Sequence, residues 1–259
     1  MNQSERRHYL IEYLKKEDKQ YLHMTVPSRT EEQKMLLRGL MNIREPKEIA
    51  PEFLKIQDEY LQEEIRKKGI VTLNELTPLQ EGIYLWQGDI TRLAADAIVN
   101  AANSGMTGCY QPNHSCIDNC IHTFGGVQMR LECEKLMEEQ GYPEPTGRAK
   151  ITKGYNLPAQ YVLHTVGPII RGAVRKQDEE LLASCYRSCL ELAEENNLES
   201  VAFCCISTGV FCFPNERAAE IAVETVKDYQ KHAKKKMEVV FNVFLEKDYD
   251  IYRRLLGAD

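Results

Sequence analysis

From about residue 80 the chain alternates short apolar runs with amphipathic stretches, and this alternation restricts its fold more than any other feature. Strand-like runs fall at 83–86, 97–99, 147–152, 161–166, 201–206 and 239–245. Helix-like stretches separate or follow them. One covers 126–139, with Met129, Leu131, Leu136 and Met137 as its apolar positions. Leu181, Leu182, Cys185, Cys189 and Leu190 recur at helical spacing in another, Pro214 opens a third that runs to about 232, and 249–256 closes the series. The 201–206 run is continuously apolar, as a strand buried on both faces must be. Such a pattern predicts an α/β fold, a mixed sheet covered by helices on both faces. Ligands of open α/β sheets sit beyond strand ends, which singles out the loops after 86, 99 and 206.

Residues 1–78 read differently, as a charged helical extension packing on a domain that spans 79–259. Leu10, Ile11 and Leu14 share one helix face. Ser28 and Glu31 have the spacing of a capping box ahead of Met35, Leu36, Leu40 and Ile43. Pro51 is placed to open a third helix carrying Leu54, Tyr60, Leu61 and Ile65, with Gly69 as its stop. No catalytic constellation occurs here.

The 259 residues carry a net charge of −6 and no basic cluster large enough for a nucleic-acid footprint. The lysine run over 231–236 ends a predicted helix, where cations suit the macrodipole, and reads as a solvated helix end. No apolar run reaches membrane-spanning length, and the polar N-terminus lacks a signal-peptide core, so a cytoplasmic protein is expected, with no membrane partner. In that compartment nine cysteines point to thiols and metal ligands rather than disulfides.

Several loop residues have the chemistry of a nucleotide site. Ser207, Thr208, Gly209, Val210 and Phe211 join a strand to a helix, where backbone N–H groups can converge on an anion. Gly125 and Gly126, also at a helix start, are expected to grip a diphosphate from the other side. Asp89, followed by Ile90, reads either as a helix cap or as an acceptor for an exocyclic amine. Asn100 and Asn103 flank Ala101-Ala102 beyond a strand, and an amide suits sugar hydroxyls. Asn100 reads as structural and Asn103 as the ligand group. Phe244 reads equally as core or as a ring against an aromatic base.

Cys109, His114 and Cys116 carry the most specific chemical signal. Thiolate and imidazole are matched to Zn²⁺, and three ligands within eight residues can close around one ion. A fourth side chain would make the site structural, whereas three leave a position for water or substrate. Cys120 shares an apolar stripe with Ile117, Ile121 and Phe124 and reads as core. His122, four residues after Asp118, is placed for an Asp–His hydrogen bond. Asp118 reads as a base or water-orienting group, or as a partner that fixes the ligands. His164 reads as a satisfied core histidine. Cys133, Cys185, Cys189, Cys204 and Cys205 lie on apolar faces.

In order, Gly88-Asp89-Ile90-Thr91, Asn100-Ala101-Ala102-Asn103, His164-Thr165-Val166-Gly167-Pro168 and Ser207-Thr208-Gly209 resemble the macrodomain family. The 109–119 segment is similar to its zinc-dependent branch, which shares a helical N-terminal extension. The resemblance covers about 80–259 and implies an ADP-ribose-binding α/β fold. It implies adenine at Asp89, the distal ribose at Asn103, and one zinc ion on Cys109, His114 and Cys116. It also implies hydrolysis of mono-ADP-ribose from protein side chains, with O-linked adducts favoured and Asn103 and Asp118 as the catalytic pair. The partner so implied is an ADP-ribosylated protein, such as a lipoyl-carrier protein modified by a microbial sirtuin. Two residues depart from the family pattern: Cys212 stands at a usual glycine, and Phe124 at a usual small residue. A non-catalytic ADP-ribose reader with structural zinc and an O-acetyl-ADP-ribose deacetylase are the alternative readings.

Overall fold

The computed structural model describes residues 1–233 and 235–257. Three helices come first: α1 (Gln3–Glu17), α2 (Thr30–Ile43) and α3 (Pro51–Lys68). Asn2 and Glu5 form a reciprocal capping box at the start of α1. The box expected at Ser28 does not form. Helix α2 begins one residue later than that pairing requires, with Arg29 at the N-cap and no side-chain cap bond. Pro51 opens α3 and Gly69 ends it, as the sequence predicts.

The remainder alternates strand and helix. In chain order it contains β1 (Val71–Thr72), β2 (Pro78–Gln80), β3 (Ile83–Gln87), β4 (Leu93–Ala94), β5 (Ala97–Ala101), α4 (Ile117–Gly125) and α5 (Val127–Gln140). Then follow β6 (Ala149–Lys153), β7 (Tyr161–Thr165), α6 (Lys176–Glu195), β8 (Ser200–Phe203), α7 (Asn215–His232), β9 (Glu238–Val243) and α8 (Glu246–Leu255). Strands β1 and β4 form a small parallel pair. The other seven make one mixed sheet in the order β2-β3-β9-β8-β5-β7-β6. Its five central strands are mutually parallel, and antiparallel strands close both edges.

Burial explains the apolar runs. Val201, Ala202, Val239, Val240, Ile98 and Val99 are wholly buried between the sheet and its flanking helices. Two strands are shorter than their apolar runs. Strand β8 leaves the ladder after Phe203 although Cys204 and Ile206 stay buried, and β9 stops at Val243. Phe244 is 72% exposed, which removes it from the core. Among the described residues of the lysine run, Lys231 lies in the last turn of α7, while Lys235 and Lys236 pair at the surface with Glu199 and Glu81. They are a solvated helix end. Among the described residues, no helix is long and apolar enough to cross a membrane.

The three N-terminal helices have a core of their own, built from Leu10, Ile11, Leu37, Leu40, Phe53 and Tyr60 among others, and closed by Val127 of α5. Hydrogen bonds carry this contact into the rest of the molecule. Val127 N donates to Gln57 Oε1 (2.9 Å), and Asn42 Nδ2 donates to Thr123 Oγ1 (2.9 Å). The extension therefore packs on α4 and α5.

Phe53 is fully buried with its ring 4.8 Å from that of Tyr13. Phe53→Ala is expected to lower unfolding free energy by about 3–5 kcal/mol in urea denaturation, from lost burial plus the cavity left behind. A loss below about 1 kcal/mol would show that this second core contributes little.

Candidate functional site

Five parallel strands direct their C-terminal ends to one edge of the sheet, so the loops that follow share that edge. Asp89 and Ile90 follow β3, Phe244 follows β9, residues 207–211 follow β8, and Asn103 follows β5. These strands are neighbours in that spatial order. Three inter-strand steps of about 4.8 Å spread the candidate residues over roughly 14 Å. That line has an acidic and aromatic end, an N–H-rich middle and a Cys/His end.

At the first end, Asp89 does cap a short 3₁₀ turn. Its Oδ1 accepts from Thr91 N (3.0 Å) and Thr91 Oγ1 (2.6 Å). The other oxygen is left toward Lys68 Nζ, 3.9 Å away. Capping thus leaves half of the carboxylate available to a ligand. Gly88 N donates to Val243 O (2.9 Å) and Gln87 Nε2 to Phe244 O (3.4 Å), which holds the β3 and β9 loops together. Ile90 is buried and packs in the core.

In the middle, Ser207 and Cys212 adopt left-handed backbone (φ 65° and 58°), a costly conformation for residues with a Cβ. Cys212 thus keeps the geometry that a glycine would supply. The N–H groups of Thr208, Cys212 and Phe213 bond to Cys205, Gly209 and Ser207 carbonyls. Among the described residues no acceptor pairs with the N–H groups of Gly209, Val210 and Phe211. Three unpaired donors in a row suit an anion. Gly167, after β7, lies directly against this loop: a Cβ there would come within 2.0 Å of Ser207 Oγ. Only glycine permits that approach.

At Gly125 and Gly126, expected as the second half of an anion cradle, the nearby backbone donors have acceptors within the protein. Gly125 is the last residue of α4 and its carbonyl accepts from Asn156 N and Nδ2. Gly126 N bonds to His122 O, and the next N–H, that of Val127, bonds to Gln57. Side chains of Gln57, Gln128 and Asn156 crowd Gly126. The pair is a packed junction between α4, α5 and the extension, with its donors already engaged.

At the far end, the ligand atoms of Cys109, His114 and Cys116 lie within 4.8 Å of one another. Cys109 Sγ is 3.6 Å from His114 Nδ1. Tetrahedral zinc, with Zn–S of about 2.3 Å and Zn–N of about 2.0 Å, requires an S···N separation of about 3.5 Å. The donor set therefore fits the ion. Burial pushes the Cys116 thiol up to about 12, and Cys109 and Asp118 nearby add to the rise. A cation between the sulfurs reverses that effect, because it binds the thiolate. Cys116 also caps α4, accepting from Asn119 N (3.4 Å).

Neither sequence candidate for a fourth ligand joins this set. Cys120 is half-buried rather than core, and its sulfur meets Arg38 Nη2 at 3.5 Å. His122 belongs to a separate buried group with Cys133 and His164. Among the described residues, the group of potential ligands in the 109–116 loop numbers three.

Asp118 is buried at the base of this end. Its Oδ1 accepts from Asn100 Nδ2 (2.8 Å) and its Oδ2 from Asn103 Nδ2 (3.2 Å). Burial raises the carboxyl to about 6, against the lowering effect of the Asn100 amide, Arg130 and Asn103. The hydrogen bond expected between Asp118 and His122 is not made: the separation is 3.6 Å, and both ring nitrogens of His122 lack partners. Asn100 is structural, as read, and links Asp118 to His164 Nδ1 (3.1 Å). His164 Nε2 meets Thr152 Oγ1 (2.8 Å), so this histidine is satisfied in the core. Sequence reasoning missed Arg38, Asn42 and Arg130, which contact the 109–116 loop. Asn42 left one trace, as a polar residue beside the buried Leu40 and Met41.

The buried histidines make a pH prediction. Burial holds His122 well below the usual 6.5 and takes His164 down to about 3, so both stay neutral in the fold. Below about pH 6.5 the unfolded chain binds two protons that the folded chain refuses. Below about pH 6 folded Asp118 takes up one proton early, which offsets one of the two. A net loss of about 1.4 kcal/mol per pH unit is expected from this cluster between roughly pH 5 and 4. His164→Gln should flatten that slope in urea melts of the metal-free protein. An unchanged slope would contradict the assignment.

Known proteins share this fold and sequence. Residues 99–222 match the Macro domain family model. A protein-ADP-ribose hydrolase of Treponema medium is 58% identical over 99% of this chain and 100% of its own. One from Staphylococcus aureus (strain MSSA476) is 49% identical, over 97% of this chain and 95% of its own. The crystal structure of the Trypanosoma brucei macrodomain in complex with ADP-ribose is similar at a TM-score of 0.66 and 30% identity, covering 85% of this chain and 95% of that one. The chain belongs to the macrodomain family.

Proposed function

We propose that this protein is a zinc-dependent hydrolase that removes mono-ADP-ribose from modified protein side chains, with O-linked adducts as substrates. In this reading residues 79–259 are the catalytic macrodomain and residues 1–78 its extension. One observation carries it: a three-ligand metal set lies beside Asn103 and Asp118, at one end of the sheet edge that carries Asp89 and Phe244 at the other. The protein-ADP-ribose hydrolases that match nearly the whole chain support the reaction class.

Each residue has a chemical task in that reading. The uncommitted oxygen of Asp89 accepts from the adenine amine, and the exposed Phe244 ring lies against the base. The N–H groups of Gly209, Val210 and Phe211 hold the diphosphate. Cys109, His114 and Cys116 hold the ion, which when bound supplies Lewis-acid polarisation of an oxygen of the substrate or of water. Asn103 directs its amide toward Asp118 and the distal ribose, and fixes the sugar against the metal end. Asp118, held by two amides, accepts the proton of the attacking water as that water adds to the anomeric carbon. The C–O bond to the protein side chain breaks in the same displacement, and the proton that Asp118 took from the water passes to the departing side-chain oxygen. The modified protein in this reading is a lipoyl-carrier protein marked by a microbial sirtuin.

Cys116→Ser and His114→Ala should each reduce ADP-ribose release from a modified protein by more than about a hundredfold, since even outer-shell changes at metal sites cost 10–100-fold. Circular dichroism should show both variants folded. Full turnover by a verified metal-free sample would end the metal-dependent reading.

A further inference from the structure

The loop over 109–116 contains no helix or strand, yet several of its backbone groups are held from outside. Helix α2 of the extension provides much of that support. Arg38 Nη2 donates to the carbonyl of His114 (2.7 Å), one of the three ligand residues. Through Nη2 and Nε the same guanidinium grips Asn119 Oδ1 (2.8 and 3.3 Å). Asn119 in turn donates to the carbonyls of Gln111 (2.9 Å) and Cys109 (3.3 Å). One turn along α2, Asn42 Oδ1 accepts from Asn113 N (2.9 Å). Between them Gly39 faces Asn113 and Pro112 closely enough that a Cβ would stand 3.3 Å from Asn113 Nδ2.

Arg130 of α5 completes the frame. Its guanidinium donates to Asn42 O (2.6 Å), Arg44 O (2.7 Å) and Cys109 O (3.4 Å), and lies 4.2 Å from the Tyr110 ring centroid. Carbonyls of two ligand residues, Cys109 and His114, are thus anchored by side chains that belong to, or bridge to, the extension.

We infer that α2 is a wall of the metal centre, with Arg38 and Asn42 as positioning residues that hold the 109–116 loop in its metal-binding shape. The inference rests on the metal reading above. An ion that binds a loop already ordered loses less conformational entropy on binding, and ligands held by surrounding hydrogen bonds keep their geometry. Removing the support leaves the same three ligands on a looser loop. Affinity then falls and release speeds up, although no ligand has changed.

Competition with a chromophoric chelator on the full-length zinc-loaded chain tests this directly. Arg38→Met and Asn42→Ala should weaken zinc binding at least about tenfold, within the range that outer-shell changes produce, and speed its release. Arg38→Lys, which keeps the charge but not the fork that reaches His114 O and Asn119 together, should recover only part of the loss. Gln57→Ala is the control: it breaks a bond between the extension and α5 without touching the loop, and should leave zinc affinity unchanged. Circular dichroism confirms that each variant is folded, and Asn42→Ala decides the matter if Arg38→Met is not. Unchanged affinity in the decisive variant, or an equal loss in Gln57→Ala, would overturn the positioning role while leaving zinc binding intact. A wild-type chain that binds no stoichiometric zinc would overturn the metal reading, and this inference with it.

Discussion

Five strands that run the same way determine where everything else can be. Because β3, β9, β8, β5 and β7 are parallel, every loop that leaves their C-terminal ends starts from one edge. Parallel strands require crossover helices, and those helices bury both faces of the sheet and leave that edge as the place for a ligand. An acid beyond β3, an exposed aromatic ring beyond β9, unpaired N–H groups beyond β8 and an amide beyond β5 then fall into a line. The separation between Asp89 and Asn103 follows from strand spacing.

The Cys/His end depends on a second constraint, the satisfaction of buried polar groups. Asp118 is buried with its charge, and amides of Asn100 and Asn103 divide its two oxygens between them. Asn100 is itself anchored on His164, which is anchored on Thr152. A carboxylate held this way has one orientation. The 109–116 loop is held from the opposite side, by Arg38, Asn42 and Arg130. The Cys/His end is therefore built between a fixed core network and the helical extension, and belongs to neither alone.

Much of this was legible in the sequence, and the limits have physical causes. Periodicity located the sheet and helices because it reports burial, which is what the strands share. It overran β8 and β9 because Cys204, Ile206, Phe244 and Leu245 continue an apolar run after strand pairing stops. Ligand chemistry marked Cys109, His114 and Cys116 because few roles suit soft donors so closely spaced. At Gly125-Gly126 spacing alone could not show that side chains of Gln57, Gln128 and Asn156 pack against the glycine pair. Cys120 had the spacing of a core residue, and the structure turns it toward Arg38. Arg38 and Arg130 could not have been found: each acts across more than 70 residues or from a different helix, and nothing local distinguishes a bridging arginine from a solvated one. Tertiary contacts of that kind are invisible to spacing.

The proposed hydrolysis turns on an ion with one coordination position left for chemistry, placed at the sugar end of a bound nucleotide. A crystal structure with ADP-ribose, collected on both sides of the zinc absorption edge, measures this most directly. A single anomalous peak is expected on Cys109, His114 and Cys116, its fourth position facing the distal ribose. A peak enclosed by four side chains, or one out of reach of that ribose, would contradict it.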